Sequence, residues 1–488
     1  MNKTLKADAS IYLLSVIIAK SIGIISLPIY TRYLSLDEYG VFSMFGVFGL
    51  TASGLLSVGL MHSTYRYFFE FKNSQTENFK ILNFSNIVFL ISIFSLGSLI
   101  VYYFSDLIIH YVFKTELSTN ILMLSFLSGV LTYFLDYNLL LLTALKRSII
   151  YGVFNICRPL FMLSLSLIFF NYLDYNIYAI ILGQLLGISI VLFISYFFLL
   201  DQFKLYFSAS YVKTSILYSY PLLPRSIIGQ IYSSFDKVML TFYAGFSGVG
   251  LYSLSAKYSE VIKLIMASLD KVWHPYFLEN ATLGDKTSKQ KIIDKFEAIS
   301  FLIIFLGLII SFFGQEAIIM LSTKEFHNAS YYIPIYMFFY IFSVIGMMGY
   351  MQITFAKKMK YFLFGSIGSI ATNIFLNILL IPIYGVMGAC ISTALAALVG
   401  AILNAYNGQK VYRLPINFIK LFLLIGLAMI FSVIPFVISI SNDQISILLI
   451  ISKLFLLLIF LLISILLGLT TSKNILGYFD GILSFVRK

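Results

Sequence analysis

Long apolar stretches alternate with short polar connections along the whole chain. A transmembrane helix needs about 20 mostly apolar residues to cross the hydrocarbon core, and fourteen stretches are long enough. They cover approximately residues 10–34, 39–62, 81–104, 120–143, 148–170, 177–200, 214–243, 247–269, 299–321, 331–355, 361–382, 385–407, 416–439 and 445–469. The pattern predicts an all-α polytopic membrane protein with about fourteen transmembrane helices. The first stretch begins close to Met1 and is interpreted as a membrane span without a cleavable signal.

Short motifs recur at a separation of about 210 residues. His62 follows the second stretch, and His274 follows the eighth. Tyr39-Gly40-Val41-Phe42 opens the second stretch, and Val249-Gly250-Leu251-Tyr252 opens the eighth. Six spans separate the members of each pair, so the repeat keeps its orientation and predicts two six-helix lobes related by a pseudo-twofold axis along the membrane normal. The lobes are residues 1–208 and 209–413, followed by two further helices and a C-terminal segment in 414–488.

Basic residues are concentrated in every second connection. The connections that alternate with these hold only Arg32, Lys114, Lys324 and Lys453. Cytoplasmic loops of membrane proteins are rich in Lys and Arg. This asymmetry predicts that both termini lie in the cytoplasm.

Composition agrees with a membrane protein, since 60% of the residues are hydrophobic and 11% are charged, whereas soluble domains have about 25% charged residues. The net charge of +12 comes from connections between spans and does not indicate a nucleic-acid partner. Both cysteines, Cys157 and Cys390, lie in apolar stretches, which gives no support for a disulfide or a metal cluster. The chain has no Gly-rich phosphate loop and no long extracytoplasmic loop, so we expect neither nucleotide hydrolysis nor another enzyme activity.

Four cations lie near the middle of apolar stretches, namely Lys20, Arg158, Arg225 and Lys257. A charge at the centre of a bilayer costs at least ~2.5–3.5 kcal/mol, so it normally faces a polar interior and marks a transport pathway. We therefore predict a cationic cavity that binds an anionic substrate. The candidate substrate-binding residues are Lys20, Arg158, Arg225, Lys257, Arg66 and Lys263.

Structural interpretations of the same cations remain open. Lys20 can pair with Asp136 or Glu260, and Lys257 can pair with Glu260 one helical turn away. Arg158 precedes Pro159, which frees a backbone carbonyl that the guanidinium can bind. Lys237 and Lys263 can reach the headgroups, while the asymmetry of the connections explains Arg66 equally well. Arg225 follows Pro221 and Pro224, so it is also a candidate for a gate residue at a loosened helix.

Acidic residues also lie within the stretches, among them Asp136, Asp236 and Glu260. Asp136 and Glu260 are candidates for carrying a coupling proton, because burial favours the protonated form of a carboxyl group, and sodium is an equal alternative. Asp236 and Lys237 together are a candidate gate pair. Neutralisation of the nearby cations is the structural alternative for these acids. No other cofactor is expected.

Three segments resemble signatures of polysaccharide exporters: Leu27-Pro-Ile-Tyr-Thr-Arg-Tyr-Leu-Ser-Leu-Asp-Glu-Tyr-Gly-Val-Phe42, Tyr220-Pro-Leu-Leu-Pro224 with Asp236-Lys237 and Gly248-Val-Gly-Leu-Tyr-Ser253, and Asn377-Ile-Leu-Leu-Ile-Pro-Ile-Tyr-Gly-Val-Met-Gly-Ala389. The chain is similar to the Wzx-type O-antigen flippases of the multidrug, oligosaccharidyl-lipid and polysaccharide exporter superfamily. The resemblance covers almost the whole chain.

The resemblance implies a bacterial inner-membrane protein of O-antigen and lipopolysaccharide biosynthesis. Such a protein moves undecaprenyl-pyrophosphate-linked oligosaccharide from the cytoplasmic to the periplasmic leaflet by alternating access. The implied partners are the lipid-linked oligosaccharide, membrane lipids, and other polysaccharide-assembly proteins such as a polymerase and a chain-length regulator. The alternatives are a multidrug or cation antiporter of the same fold, for which we expect a cavity dominated by carboxylates, and a flippase for the peptidoglycan lipid precursor, which has the same pyrophosphate.

Overall fold

The computed structural model describes residues 3–71, 76–113, 118–173, 176–220, 223–441 and 445–470. Within these ranges, the side chains of residues 3–7, 9, 112, 224–228, 231, 233 and 438–441 are left undescribed. The described residues form helices and their connections and contain no β-strand. The predicted all-α membrane fold is confirmed, with thirteen helical segments long and apolar enough to span a membrane.

The difference between thirteen segments and the fourteen predicted stretches arises at one glycine. The segment Ser234–Leu283 has 50 residues and includes parts of the seventh and eighth predicted stretches. Gly245 interrupts it with φ 66° and ψ −173°. Glycine adopts positive φ readily because it lacks a Cβ atom, so the chain turns there without an intervening loop.

The chain divides into two compact units, Met1–Gly250 and Leu251–Lys488. The helices of unit 1 are α1 (Lys3–Tyr33), α2 (Leu36–Leu56), α3 (Leu60–Phe71), α4 (Thr76–Tyr103), α5 (Ser105–Ile108), α6 (Thr119–Ala144), α7 (Ser148–Phe170), α8 (Asn176–Phe197), α9 (Ala209–Ser219) and most of α10 (Leu223–Ser259). This division does not test the predicted repeat of two lobes, which stays a prediction.

Local signals in the sequence explain where α2 begins. The Ser35 side chain accepts a hydrogen bond from the Glu38 backbone N–H, and the Glu38 carboxylate accepts one from the Ser35 N–H at 2.8 Å. This reciprocal arrangement satisfies two backbone donors at the helix start. Asp37 and Glu38 also place negative charge in the first turn, which the helix dipole favours.

The recurring glycines Gly40 and Gly250 lie at a close helix contact within unit 1. A Cβ atom on Gly40 would lie 1.9 Å from the Phe246 carbonyl oxygen, and one on Gly250 would lie 2.6 Å from the Leu36 carbonyl oxygen. Only glycine allows backbones to approach this closely. The motifs noticed as a sequence repeat therefore meet in the structure, and their glycines are required by packing.

Unit 2 contains the helices that follow the break at Glu260. They are α11 (Val261–Leu283), α12 (Lys286–Phe312), α13 (Gly314–Leu321), α14 (Ile333–Phe355), α15 (Lys360–Tyr384), α16 (Val386–Val411), α17 (Phe418–Ser441) and α18 (Ile447–Leu466). The predicted end of the eighth stretch, at residue 269, is too early, because α11 continues to Leu283.

Two ion pairs attach the last two helices to the rest of unit 2. Lys420 of α17 bonds Glu297 of α12 at 2.5 Å, and Lys453 of α18 bonds Glu316 of α13 at 2.6 Å. The prediction that Lys453 lies in a connection is wrong, because the residue lies inside α18 and is fully buried. Lys114 lies outside the described residues.

Candidate functional site

Two neighbouring cavities lie within unit 1. The first has a volume of about 310 Å³ and the second about 320 Å³. Both are lined by Leu50 of α2 and Thr132 of α6, so they meet at these two side chains. Each volume falls in the range of pockets that hold small-molecule ligands.

The crossing of α2 and α6 brings the walls of the cavities together. A Cβ atom on Gly49 would lie 2.1 Å from the Ser125 carbonyl oxygen, and one on Gly129 would lie 2.1 Å from the Gly49 carbonyl oxygen. The two backbones therefore touch at this point. Ser125, Ser128, Thr132 and Asp136 follow one another at intervals of three or four residues, which places them on one face of α6.

Helices α7 and α8 close the first cavity from another side. Arg158 and Met162 of α7 and Ile181, Gln184 and Ile188 of α8 line it. Gly183 and Gly187 permit a close approach between the two helices, because a Cβ atom at either position would lie within 3 Å of α7 atoms. Small residues at such contacts are a general means of packing membrane helices tightly.

An ion pair joins a residue of the first cavity to a residue of the second. The Arg158 Nη1 atom donates to the Asp136 Oδ1 atom at 2.9 Å. Arg158 lines the first cavity and Asp136 lines the second. The side chains are 25% and 45% exposed, respectively, so neither charge is sealed in the core.

The first cavity combines one cation with neutral polar groups. Arg158 is the one ionisable side chain among the described residues that line it, and the neutral polar side chains are Ser43, Ser125, Ser128, Thr132 and Gln184. Hydroxyl and amide groups donate hydrogen bonds to phosphate and sugar oxygens, and a guanidinium binds phosphate through two parallel bonds. The chemistry of this cavity suits an anion that carries hydroxyl groups.

The second cavity is lined by a different set of polar groups. They are Ser53, Ser57, His62, Tyr133, Asp136 and Gln230, together with Thr132, which lines both cavities. Tyr133 is fixed in place, since its hydroxyl oxygen accepts a hydrogen bond from the Met61 backbone N–H at 3.2 Å. From the sequence, His62 has no predicted role beyond the repeat. It is exposed and also lines this cavity.

The structure identifies the partners of two residues for which the sequence left alternatives open. Asp136 pairs with Arg158 rather than with Lys20. Arg158 donates to this carboxylate rather than to the carbonyl freed by Pro159. Both residues thus lie together, as parts of one site that no sequence spacing indicates.

Lys20 lies on α1 outside the linings of the two cavities. At about 100° per residue, it lies opposite the exposed apolar residues Ile18 and Ile25 but on the same side as the exposed Val16, one turn away. Lys20 is itself exposed, and none of the ion pairs found in the described part of the chain includes it.

The remaining candidates of unit 1 have local partners. Arg66 pairs with Glu70 one turn further along α3, at 3.5 Å, and both are largely exposed. Asp236 is buried and accepts a hydrogen bond from the backbone N–H of Lys237 at 2.8 Å. The backbone of Arg225 lies in α10, but its side chain is outside the described part.

Lys257, Glu260 and Lys263 belong to unit 2 and flank the break between α10 and α11. Lys257 and Glu260 are half-buried, and Lys263 is exposed. Glu260 is the residue at which the helix is interrupted before α11 begins. Their predicted roles in substrate binding and coupling stay predictions.

Sequence reasoning missed most of the neutral residues around the ion pair. Gln184 is the clearest signal, since an amide side chain in an apolar span needs a polar partner or a cavity. The spacing of Ser125, Ser128 and Thr132 along α6 is the second signal. Neither signal carries a charge. Among the described residues, no group of His, Cys, Asp and Glu is arranged to hold a metal ion.

Comparison with known families gives the identification. The model of the family described as "Polysaccharide biosynthesis protein" matches residues 5–281, which is more than half of the chain. The chain belongs to this family. The matched region contains the described cavities and the ion pair between Arg158 and Asp136. No curated protein matches the chain in sequence.

Solved structures of lipid and drug transporters share the fold. The lipid II flippase MurJ in an inward closed conformation aligns with a TM-score of 0.69 at 17% identity, covering 94% of this chain and 98% of MurJ. An inward-facing multidrug resistance MATE family transporter of the MOP superfamily aligns at 0.63 with 13% identity, covering 84% and 98%. A MOP superfamily transporter from Pyrococcus furiosus, described as having a binding pocket of reverse polarity, aligns with a TM-score of 0.55 at 13% identity, covering 83% of this chain and 95% of that one.

Proposed function

We propose that this polysaccharide biosynthesis protein is a flippase for undecaprenyl-pyrophosphate-linked oligosaccharide, such as an O-antigen repeat unit. It moves the lipid-linked substrate from the cytoplasmic to the periplasmic leaflet of a bacterial inner membrane. The observation that carries the proposal is the first cavity, where Arg158 lies among neutral hydroxyl and amide groups. Family membership supports the same substrate class.

The charge of the substrate explains the cations. A pyrophosphate group carries about two negative charges and many acceptor oxygens, which arginine binds bidentately and lysine binds as a point charge. Arg158 and Lys20 of unit 1 and Lys257 of unit 2 are the principal ligands in this proposal. Arg66, Arg225 and Lys263 are secondary ligands near the path of the head group.

The mechanism is alternating access with the polyprenyl tail in the bilayer and the head group inside the protein. Asp136, Asp236 with Lys237, and Glu260 are the candidates for coupling to a proton or sodium ion or for gating. Both termini lie in the cytoplasm. The polymerase and chain-length regulator of polysaccharide assembly are the expected partners.

A cation or multidrug antiporter is the second candidate function. The observation in its favour is Asp136, which faces the second cavity and is 45% exposed. The excess of cations within the predicted spans argues against it, since a cavity for cationic drugs needs net negative charge. A flippase for the peptidoglycan lipid precursor is a further alternative, because its substrate presents the same pyrophosphate.

Genetic complementation tests the proposal. Bacterial strains that produce surface polysaccharide but lack their own flippase receive the wild type, Lys20→Ala, Lys257→Ala, Arg158→Gln or the control Lys213→Ala. Lys213 is exposed on α9 and lines neither cavity. We expect the wild type and the control to restore surface glycan and the three other variants to fail at equal membrane levels. If the wild type restores no glycan type but lowers sensitivity to cationic drugs, the antiporter is correct.

A further inference from the structure

The ion pair between Arg158 and Asp136 is held by a single hydrogen bond and is weak. One contact of 2.9 Å joins Nη1 to Oδ1, whereas a guanidinium has five N–H donors and forms two parallel bonds in its strongest carboxylate pairs. The exposure of both side chains weakens the attraction further, because water screens partly exposed ion pairs. The remaining donors of Arg158 are open to another acceptor.

The Asp136 carboxylate accepts few hydrogen bonds. In the described part of the chain, Arg158 is its one hydrogen-bond donor. The second cavity beside it is lined by Ser53 and Ser57. Their hydroxyl groups donate to backbone carbonyl oxygens within α2 and can turn to donate to a carboxylate instead. Asp136 therefore has a polar space to turn into when Arg158 is taken by another anion.

The ion pair of Lys453 and Glu316 is a buried pair with which the pair of Arg158 and Asp136 can be compared. Its lysine is fully buried and its glutamate side chain is 11% exposed. Neither residue lines either of the two described cavities. The pair of Arg158 and Asp136 is more exposed, and both of its residues line cavities. These two differences indicate that its contact can be exchanged for another.

We propose that the Asp136 carboxylate is an internal ligand that occupies Arg158 in the empty carrier and is displaced by the phosphate group of the substrate. This inference rests on the proposed function for the identity of the anion. The exchange keeps Arg158 paired with a negative group in both the empty and the loaded carrier. An unpaired arginine in a membrane interior is costly, so the exchange allows the carrier to return without substrate.

Pyrophosphate binding tests the exchange. Inorganic pyrophosphate is titrated into the purified full-length protein in detergent, and its affinity is measured by calorimetry for the wild type, Asp136→Asn, Arg158→Gln and the double variant. We expect Asp136→Asn to bind roughly threefold to tenfold more tightly, because the internal competitor is gone. Arg158→Gln and the double variant should bind equally, at least about tenfold more weakly than the wild type.

Equal or weaker binding by Asp136→Asn overturns the inference. If Asp136→Asn does not fold, Asp136→Ser provides the same comparison, and failure of both to fold makes Asp136 a structural residue and also overturns it. Asp136→Glu, which keeps the carboxylate, should bind as the wild type does. Glycan export by the wild type is measured in parallel: export without tighter binding by Asp136→Asn rejects only the exchange, whereas tighter binding without export by the wild type rejects only the flippase.

Discussion

The ammonium group of Lys453 lies 2.6 Å from the Glu316 carboxylate and is completely buried. Lys453 shares one face of α18 with Leu457, Phe460 and Ser464, which are buried at intervals of three and four residues. Large apolar residues on the other sides of α18, such as Leu454, are exposed. This buried face of α18, with its one ion pair, therefore attaches the helix to the rest of unit 2.

Removing one partner of this pair should destabilise unit 2. We expect Lys453→Met or Glu316→Gln to cost about 3–5 kcal/mol, since an uncompensated charge or a buried polar group remains. Replacing both, as Lys453→Met with Glu316→Leu, should recover most of the loss because no charge is left buried. Thermal unfolding in detergent measures this, and single variants as stable as the wild type would contradict it.

Glycine at the crossing of α2 and α6 should be essential for folding. Gly129→Leu places a side chain where even a Cβ atom would lie 2.1 Å from the Gly49 carbonyl oxygen, so α2 and α6 must separate. The expected result is loss of folded protein from the membrane fraction, monitored by size-exclusion chromatography. Gly46→Ala is the matched control on α2, because no atom lies within 4 Å of its added Cβ. Normal folding of Gly129→Leu would show that the described crossing is incorrect.

The turn between α11 and α12 should respond to pH through Asp285. Hydrogen bonds from Ser288, first from its side chain and then from its backbone N–H, lower the pKa of this carboxyl group. A lowered pKa in the folded state means that the stabilisation is present above the unfolded value of about 3.9 and disappears as the pH falls through the folded value. Amide exchange at the start of α12 should therefore increase at acid pH in the wild type. In Asp285→Ala it should already be fast at neutral pH and change little on acidification. The same pH response in both proteins would exclude Asp285 as its origin.

Much of the fold follows from the sequence because lipid imposes a simple rule. A span must be apolar and about 20 residues long, so the stretches mark the helices even without tertiary information. The exceptions depend on single residues. Gly245 turns the chain without a polar loop, and Lys453 is tolerated in an apolar helix because Glu316 neutralises it.

The site was less accessible to sequence reasoning. The sequence marks Arg158 and Asp136 individually as charges within apolar spans, but their contact depends on how α6 and α7 pack. Ser128 and Gln184 carry no charge, and their importance comes from the cavity that surrounds them. Hydropathy identifies the helices, whereas the direction of each side chain is decided by contacts between helices that are distant in sequence.

We propose that Arg158 binds the phosphate group of a lipid-linked oligosaccharide during transport. The most direct measurement is translocation of a fluorescent polyprenyl-pyrophosphate-linked oligosaccharide by the purified protein in liposomes, with Lys213→Ala as the control. We predict rapid translocation by the wild type and the control, and at least about tenfold slower translocation by folded Arg158→Gln. Translocation by Arg158→Gln at the wild-type rate would contradict the role of Arg158, and its absence in the wild type with substrates of several glycan types would contradict the flippase itself.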